Sequence, residues 1–304
     1  MPVISSLGAI SSKGYSSSAG NDIIATGQYT HEGNGAYQWV CPSGVTSVSV
    51  VCIGGGGGGV GFTSSSINQG GAGGGGSISY KNNVKVVPGT TYILYIGKNT
   101  SSINGGTGYF GTPGTTAVGV DGGYATFGIT SSAANSLCNA DGGLGGRGKT
   151  TDSTPYTAVY QGGLGGSVSA TLNFKGSTLG FGLGGQGGHG GSTSAAGGGG
   201  AGGYNAATGG QGQGTNGAAG AGGGSGAGAG GAAAAPGGQG TNGTGVSVLG
   251  TAPGGGTLYG GGGGAGSGVT GRTGTGGAIR IIWPGISRQY PSTKVEDLPT
   301  VVLT

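Results

Sequence analysis

The stretch "AYQWVCPSGVTSVSVVCI", residues 36–53, decides the fold. Val48, Val50 and Cys52 alternate with Ser47, Ser49 and Val51, which is the two-residue period of a strand. "CPSG" precedes that run, with Pro42 presetting φ and Gly44 able to take a left-handed turn position. Two strands and a turn are therefore expected, and the second strand runs directly into six glycines at 54–59.

Working outward, "SISYKNNVKVVPGTTYILYIG" (77–97) repeats the pattern around a second Pro-Gly turn, with Val84, Val86, Tyr92, Ile93, Tyr95 and Ile96 as β-formers. "GGYATFGI" (122–129) is a weaker strand signal. "GGAIRIIWPG" (276–285) puts Ile279, Ile281 and Trp283 on one face before Pro284 stops it. The expected fold class is all-β: a β-sandwich-like domain formed by 31–130 together with 275–290, in which the closing strand pairs with the early ones. Residues 1–30 read as an N-terminal arm for attachment, 131–274 as a long glycine-rich insertion, and 291–304 as a C-terminal tail.

Composition narrows the function classes. Glycine supplies 89 of 304 residues and charged residues only 6%, against usual shares of roughly 7% and ~25%. Long helices are excluded, because each glycine costs about 1 kcal/mol relative to alanine in a helix. A net charge of +4 with scattered basic residues offers no phosphate-tracking stripe, so no nucleic-acid partner is expected. No signal peptide is evident, and no apolar run approaches the length of a membrane span, so membrane insertion is not expected. Cys41, Cys52 and Cys138 lack metal-ligand spacing and form no disulfide framework, and Cys52 reads as a small buried hydrophobe.

Inside the insertion the period is three. "GLGGQGGHGGS" (182–192) spaces Leu183, Gln186, His189 and Ser192 with glycine pairs, and Asp141, Leu144 and Arg147 repeat the arrangement, as do Gln161, Leu164 and Ser167. "QGTNG" occurs at 213–217 and again at 239–243. An extended helix with three residues per turn has no internal hydrogen bonds, so its amides and carbonyls need partners alongside. Glycine at two positions in three lets neighbouring chains come close enough to supply them. The expectation is a bundle of polyglycine-II helices with backbone at its core, rather than a flexible linker.

Candidate chemistry is sparse. "GLGGRGKT" (143–150) matches the phosphate-loop pattern, with Lys149 and Thr150 in the phosphate and magnesium positions. It lacks the strand before and the helix after that such a loop requires, so coincidence is the reading. His31 and His189 have no identifiable nucleophile or metal partner and read as surface residues. Asp121 and Asp141 each precede Gly-Gly and read as turn caps. No catalytic residue, metal site or cofactor is expected. Tyr109 and Phe110 also punctuate small-residue segments, but the candidate receptor-binding residues are Tyr156, Tyr160, Phe174, Phe181 and Tyr204. Aromatic rings on glycine-rich loops give rigid contact area at low entropic cost.

Three segments together carry a family resemblance. "GAYQWVCPSGVTSVSVVCIGGGGGG" resembles the opening of glycine-rich domains in tail-fibre and adhesin proteins of tailed bacteriophages, and "VKVVPGTTYILYIG" the hairpin that follows there. "GGAIRIIWPGISRQYPST" is similar to the closing strand and tail of virion structural proteins from phages of marine cyanobacteria. The glycine-rich middle resembles distal adhesins whose polyglycine-II bundles display receptor-binding loops, although the bracketing strands and irregular repeats here depart from those. The resemblance implies a non-enzymatic virion structural protein on a tail fibre or similar appendage. Its implied partners are other virion proteins and a host-surface glycan or receptor, in an oligomeric assembly. The alternatives are a capsid-decorating or filament-forming protein without a receptor role and, further off, an ice-binding protein.

Overall fold

The computed structural model describes residues 26–62, 71–97, 109–111, 116–132, 136–149, 179–182, 198–202, 246–247, 258–264, 266–267 and 271–290. Among these the chain is all-β, with no helix.

Two antiparallel sheets form the body. The larger has the order β1 (Gly27–His31), β16 (Ala278–Trp283), β3 (Ser47–Ile53), β5 (Ile78–Lys85) and β12 (Leu179–Gly182). The smaller has the order β10 (Ser136–Ala140), β9 (Tyr124–Gly128), β6 (Thr91–Gly97) and β2 (Gly35–Val40). The closing strand β16 lies between β1 and β3, with Ile281 opposite Tyr29 on one side and Val50 on the other. Both Pro-Gly turns form as read: Gly44 and Gly89 have φ of 78° and 77°, and Val45 and Thr90 close them onto the Pro42 and Val87 carbonyls.

One apolar core joins the sheets. Val48, Val50, Cys52, Ile279, Ile281 and Trp283 from the larger sheet meet Trp39, Tyr92, Leu94, Ile96, Phe127 and Cys138 from the smaller. This is the sandwich-like arrangement the alternation predicts. Trp39 is its aromatic hub, with ring centroids 5.9 Å from Tyr92, 6.3 Å from Phe127 and 5.6 Å from Trp283.

The structure differs from the sequence reading in two places. β3 is buried on both faces, because Val51 and Ile53 join a second cluster with Ile78, Tyr80, Ala201, Tyr259, Ile282 and Tyr290 on the opposite side of the larger sheet. Residues 27–30, read as part of an arm, lie in β1, whose five residues are too few to show a period in sequence. Past Pro284, where β16 stops as read, the chain to 290 stays on the sheet. Tyr290 N donates to Asn82 Oδ1 at 2.9 Å and Asn82 Nδ2 donates to the Tyr290 carbonyl at 2.7 Å, so an amide side chain mimics a strand partner.

Ile281→Ala should therefore lower the unfolding free energy by about 2–5 kcal/mol, since Ile281 is fully buried between β1 and β3. Val87→Ala, at a side chain 62% exposed, should change it by less than about 0.5 kcal/mol. Urea denaturation of the two variants beside the parent checks both values.

Candidate functional site

At one end of the sandwich the strands run on as glycine segments. Residues 54–59 continue β3, 141–146 continue β10, and 71–77, 119–123 and 271–277 lead into β5, β9 and β16. Adjacent strands run in opposite directions, so these ends all project from the same edge.

Residues 54–60 show how the segments hold together. Their amides donate in rotation to three neighbours. Gly54, Gly57 and Val60 bond the carbonyls of Ser77, Gly74 and Gly71; Gly55 and Gly58 bond those of Gly123 and Val120; Gly56 and Gly59 bond those of Thr275 and Arg272. All seven bonds are 2.8–2.9 Å long. Within each set the donor number rises by three while the acceptor number falls by three, the signature of antiparallel chains turning once every three residues. The carbonyls are used as well: Gly143 and Gly146 donate to Gly55 and Gly58, and Gly263 donates to Gly57. Residues 54–59 are thus enclosed by five chain segments and bonded to each.

The neighbours also bond to one another. Gly73 and Gly76 donate to Gly263 and Gly260, Gly74 to Leu144, Gly119 and Gly122 to Gly146 and Gly143, and Thr275 to Gly261. A further segment, 198–202, attaches outside through Gly199 and Gly202 donating to Gly73 and Gly76. Such close approach leaves no room for Cβ. One built on Gly57 would lie 2.1 Å from the Leu144 carbonyl oxygen, one on Gly73 1.9 Å from that of Gly57, and one on Gly122 2.0 Å from that of Gly55. Of the side chains that do occur, the small ones of Ala72 and Ser77 are buried, and larger ones such as Leu144 lie at the surface. In the row Asp141, Leu144, Arg147, Leu144 and Arg147 are exposed and Asp141 half-buried, whereas Gly143, Gly145 and Gly146 are buried.

The phosphate-loop-like stretch lies within this array. The Gly143 and Gly146 amides donate to Gly55 and Gly58, and the Gly145 amide donates to Asp121 Oδ1 at 2.7 Å. Lys149 ends β11 (Arg147–Lys149), which pairs with β8 (Thr116–Val118). The Gly143, Gly145 and Gly146 amides are thus engaged by protein oxygens. Asp121, read as a cap on its own turn, instead bridges to the neighbouring segment.

Of the candidate receptor-binding residues, only Phe181 lies among the described residues, in β12 opposite Ser79. Tyr156, Tyr160, Phe174 and Tyr204 lie outside them, as does His189. Tyr109 and Phe110 form β7 (Tyr109–Gly111), which pairs in parallel with β4 (Val60–Phe62). The sequence reading omitted another aromatic pair, Tyr95 and Tyr124, whose centroids lie 5.3 Å apart on the face of the smaller sheet away from the core. Only the pairing of β6 with β9 brings them together, so no spacing in the sequence marks them.

His31 is half-buried rather than on the surface. Its ring stacks on Tyr37 at 5.6 Å, and Nε2 is buried without a hydrogen-bond partner. Burial holds its pKa below the ordinary value, despite the Gly35 backbone contact and the nearby Glu32 charge. Among the described residues no three His, Cys, Asp or Glu side chains group as metal ligands. Arg280, fully buried in β16, was also missed: its Nη2 donates to Gln28 Oε1, and Arg288 adds a bond from Nη1 to the Gly27 carbonyl. No family model matches the chain, and comparison with curated proteins returns no match.

Two outcomes follow. Gly57→Ala should cost about 3 kcal/mol or more, through overpacking and broken backbone bonds. Gly33→Ala, whose Cβ would meet only His31 Cε1 at 3.5 Å, should stay within about 0.5 kcal/mol; thermal melts of the pair measure the contrast. A lowered folded-state pKa at His31 means that its stabilising contribution is complete above the unfolded value near 6.5 and declines as pH falls toward the folded value. Unfolding free energy should therefore drop as pH falls below about 6.5, and His31→Gln should flatten that slope in urea titrations.

Proposed function

We propose that this chain is a non-enzymatic structural protein of a phage virion, carried on a tail fibre or similar appendage and contributing to attachment to host-surface glycan. In this reading the glycine-rich insertion, 131–274, packs as polyglycine-II helices, and Tyr156, Tyr160, Phe174, Phe181 and Tyr204 present aromatic contact surface from it. The observation that carries the proposal is the enclosure of residues 54–59 by five bonded segments. A backbone-cored array of this kind gives a stiff support with side chains such as Leu144 and Arg147 exposed along it, which suits a display scaffold. The engaged amides of Gly143, Gly145 and Gly146 also favour a structural role for that stretch over nucleotide binding.

Purified protein should bind host cells, and deletion of residues 156–178, which spares β12 and residues 198–202, should abolish binding while the sandwich keeps its melting transition. Antibody raised against the protein should mark tails on intact particles. Binding that survives the deletion removes the adhesin role, and labelling of heads favours the capsid-decorating alternative.

A further inference from the structure

The sandwich narrows toward its glycine end, and two thiols meet there. Cys52 is on β3 in the larger sheet and Cys138 on β10 in the smaller, and both are fully buried. Each has one large cross-strand partner, Ile279 beside Cys52 and Phe127 beside Cys138, and small residues otherwise: Ser79 pairs with Cys52 across β3 and β5, and Ala140 follows on β10. On the side of the small residues the sheets approach closely enough for direct bonds. Cys52 Sγ lies 3.6 Å from the Cys138 carbonyl, Cys138 Sγ lies 3.3 Å from Ser79 Oγ and 3.7 Å from the Ser79 carbonyl, and Ser79 Oγ donates to the Asn139 carbonyl.

We propose that Cys52 and Cys138 are the site of a cross-sheet disulfide, formed when the chain folds in the presence of a small-molecule disulfide such as oxidised glutathione. The two residues are 86 positions apart, so the bond would tie the early strands to the second sheet just where the side-chain core gives way to glycine. The third cysteine stands apart in the Pro42 turn, its Sγ 3.3 Å from the Val45 carbonyl.

The exchange is balanced. Deprotonated Cys138 attacks one sulfur of oxidised glutathione, breaking its S–S bond and releasing a glutathione thiolate that takes a proton from water. Deprotonated Cys52 then attacks the Cys138 sulfur and expels the second glutathione. The two protein thiols lose two electrons and two protons, and one glutathione disulfide becomes two thiols. A glutathione adduct does not fit the filled core, so exchange precedes docking of β10, a five-residue strand that lies at the edge of its sheet among the described residues. Burial alone would raise the Cys138 thiol, but hydrogen bonds from Cys52 and Ser79 and the Lys81 charge outweigh it and hold that thiol below its ordinary value. Burial and contact with Cys138 push Cys52 up. Before docking either thiol can attack first, and the balance is the same with Cys52 in the first step.

The full chain, unfolded and reduced, is refolded in a buffer of oxidised and reduced glutathione or in dithiothreitol, then unfolded and alkylated. The glutathione sample should carry one alkyl group, on Cys41, and a linked peptide pair containing Cys52 and Cys138. A Cys41→Ser variant, which leaves the thiol pair intact, should carry none. The bridged form should melt about 10 °C above the reduced form. Three alkylated cysteines after refolding in glutathione, a bridge that includes Cys41, or a bridged form that melts below the reduced one would each overturn the proposal.

Discussion

Each carbonyl of residues 54–59 occupies the space beside a neighbouring glycine where any other residue would put its Cβ. The oxygens of Gly54, Gly55, Gly56 and Gly57 lie 1.9–2.2 Å from Cβ positions built on Gly76, Gly122, Gly274 and Gly73. That one constraint explains the composition. A core made of backbone works only if nothing projects into it, so glycine is required wherever a segment faces inward. It also explains why ordering so many glycines is tolerable. Each loses more conformational freedom than any other residue, and the offset is a nearly complete set of buried backbone hydrogen bonds, which would be costly to leave unmade.

The two cores are continuous. In the sandwich, side chains such as Trp39, Phe127 and Trp283 hold the sheets apart, at a spacing that is commonly about 10 Å. Toward the glycine end the facing residues shrink to Cys52, Ser79, Cys138 and Ala140, and then to glycine alone. As the filling thins, strands of opposite sheets come within direct bonding distance: Gly55 in the continuation of β3 donates to Gly123 leading into β9, and Ser77 donates to Asp141 beyond β10. The flat sandwich thereby becomes a cluster in which residues 54–59 have neighbours on nearly every side. The polar residues at the transition serve that change, with Ser77 Oγ and Asp121 Oδ1 taking up main-chain groups from adjacent segments.

The sequence made some of this legible. Alternation at 47–53, Pro-Ser-Gly at 42–44 and Pro-Gly at 88–89 give strands and turns directly, because those signals are local. The period of three is also local, and the outward row Asp141, Leu144, Arg147 agrees with it. Neighbour choice is another matter. Six successive glycines at 54–59 carry no side chains to indicate what lies beside them, so their place at the centre of five segments has no signature. The expectation confined threefold packing to 131–274, yet the threefold bonding among described residues draws equally on 54–59, 71–77 and 119–123. Arg280 was hidden for a related reason: a charged residue in a strand reads as solvent-facing until Gln28 and the returning segment at 285–290 are placed over it. The candidate binding aromatics rest on residue type and the company of glycine, and only Phe181 among them has a described backbone.

The central claim is that the glycine segments form a hydrogen-bonded core as firm as the sheets they extend. Amide hydrogen exchange, resolved by residue, tests it most directly. The account predicts that the amides of Gly54, Gly55, Gly56, Gly57, Gly58 and Gly59 exchange as slowly as those of β3 and β16, and that they open together with the sandwich. Exchange of these six amides at the rate of an unstructured glycine peptide, while β3 and β16 remain protected, would contradict it.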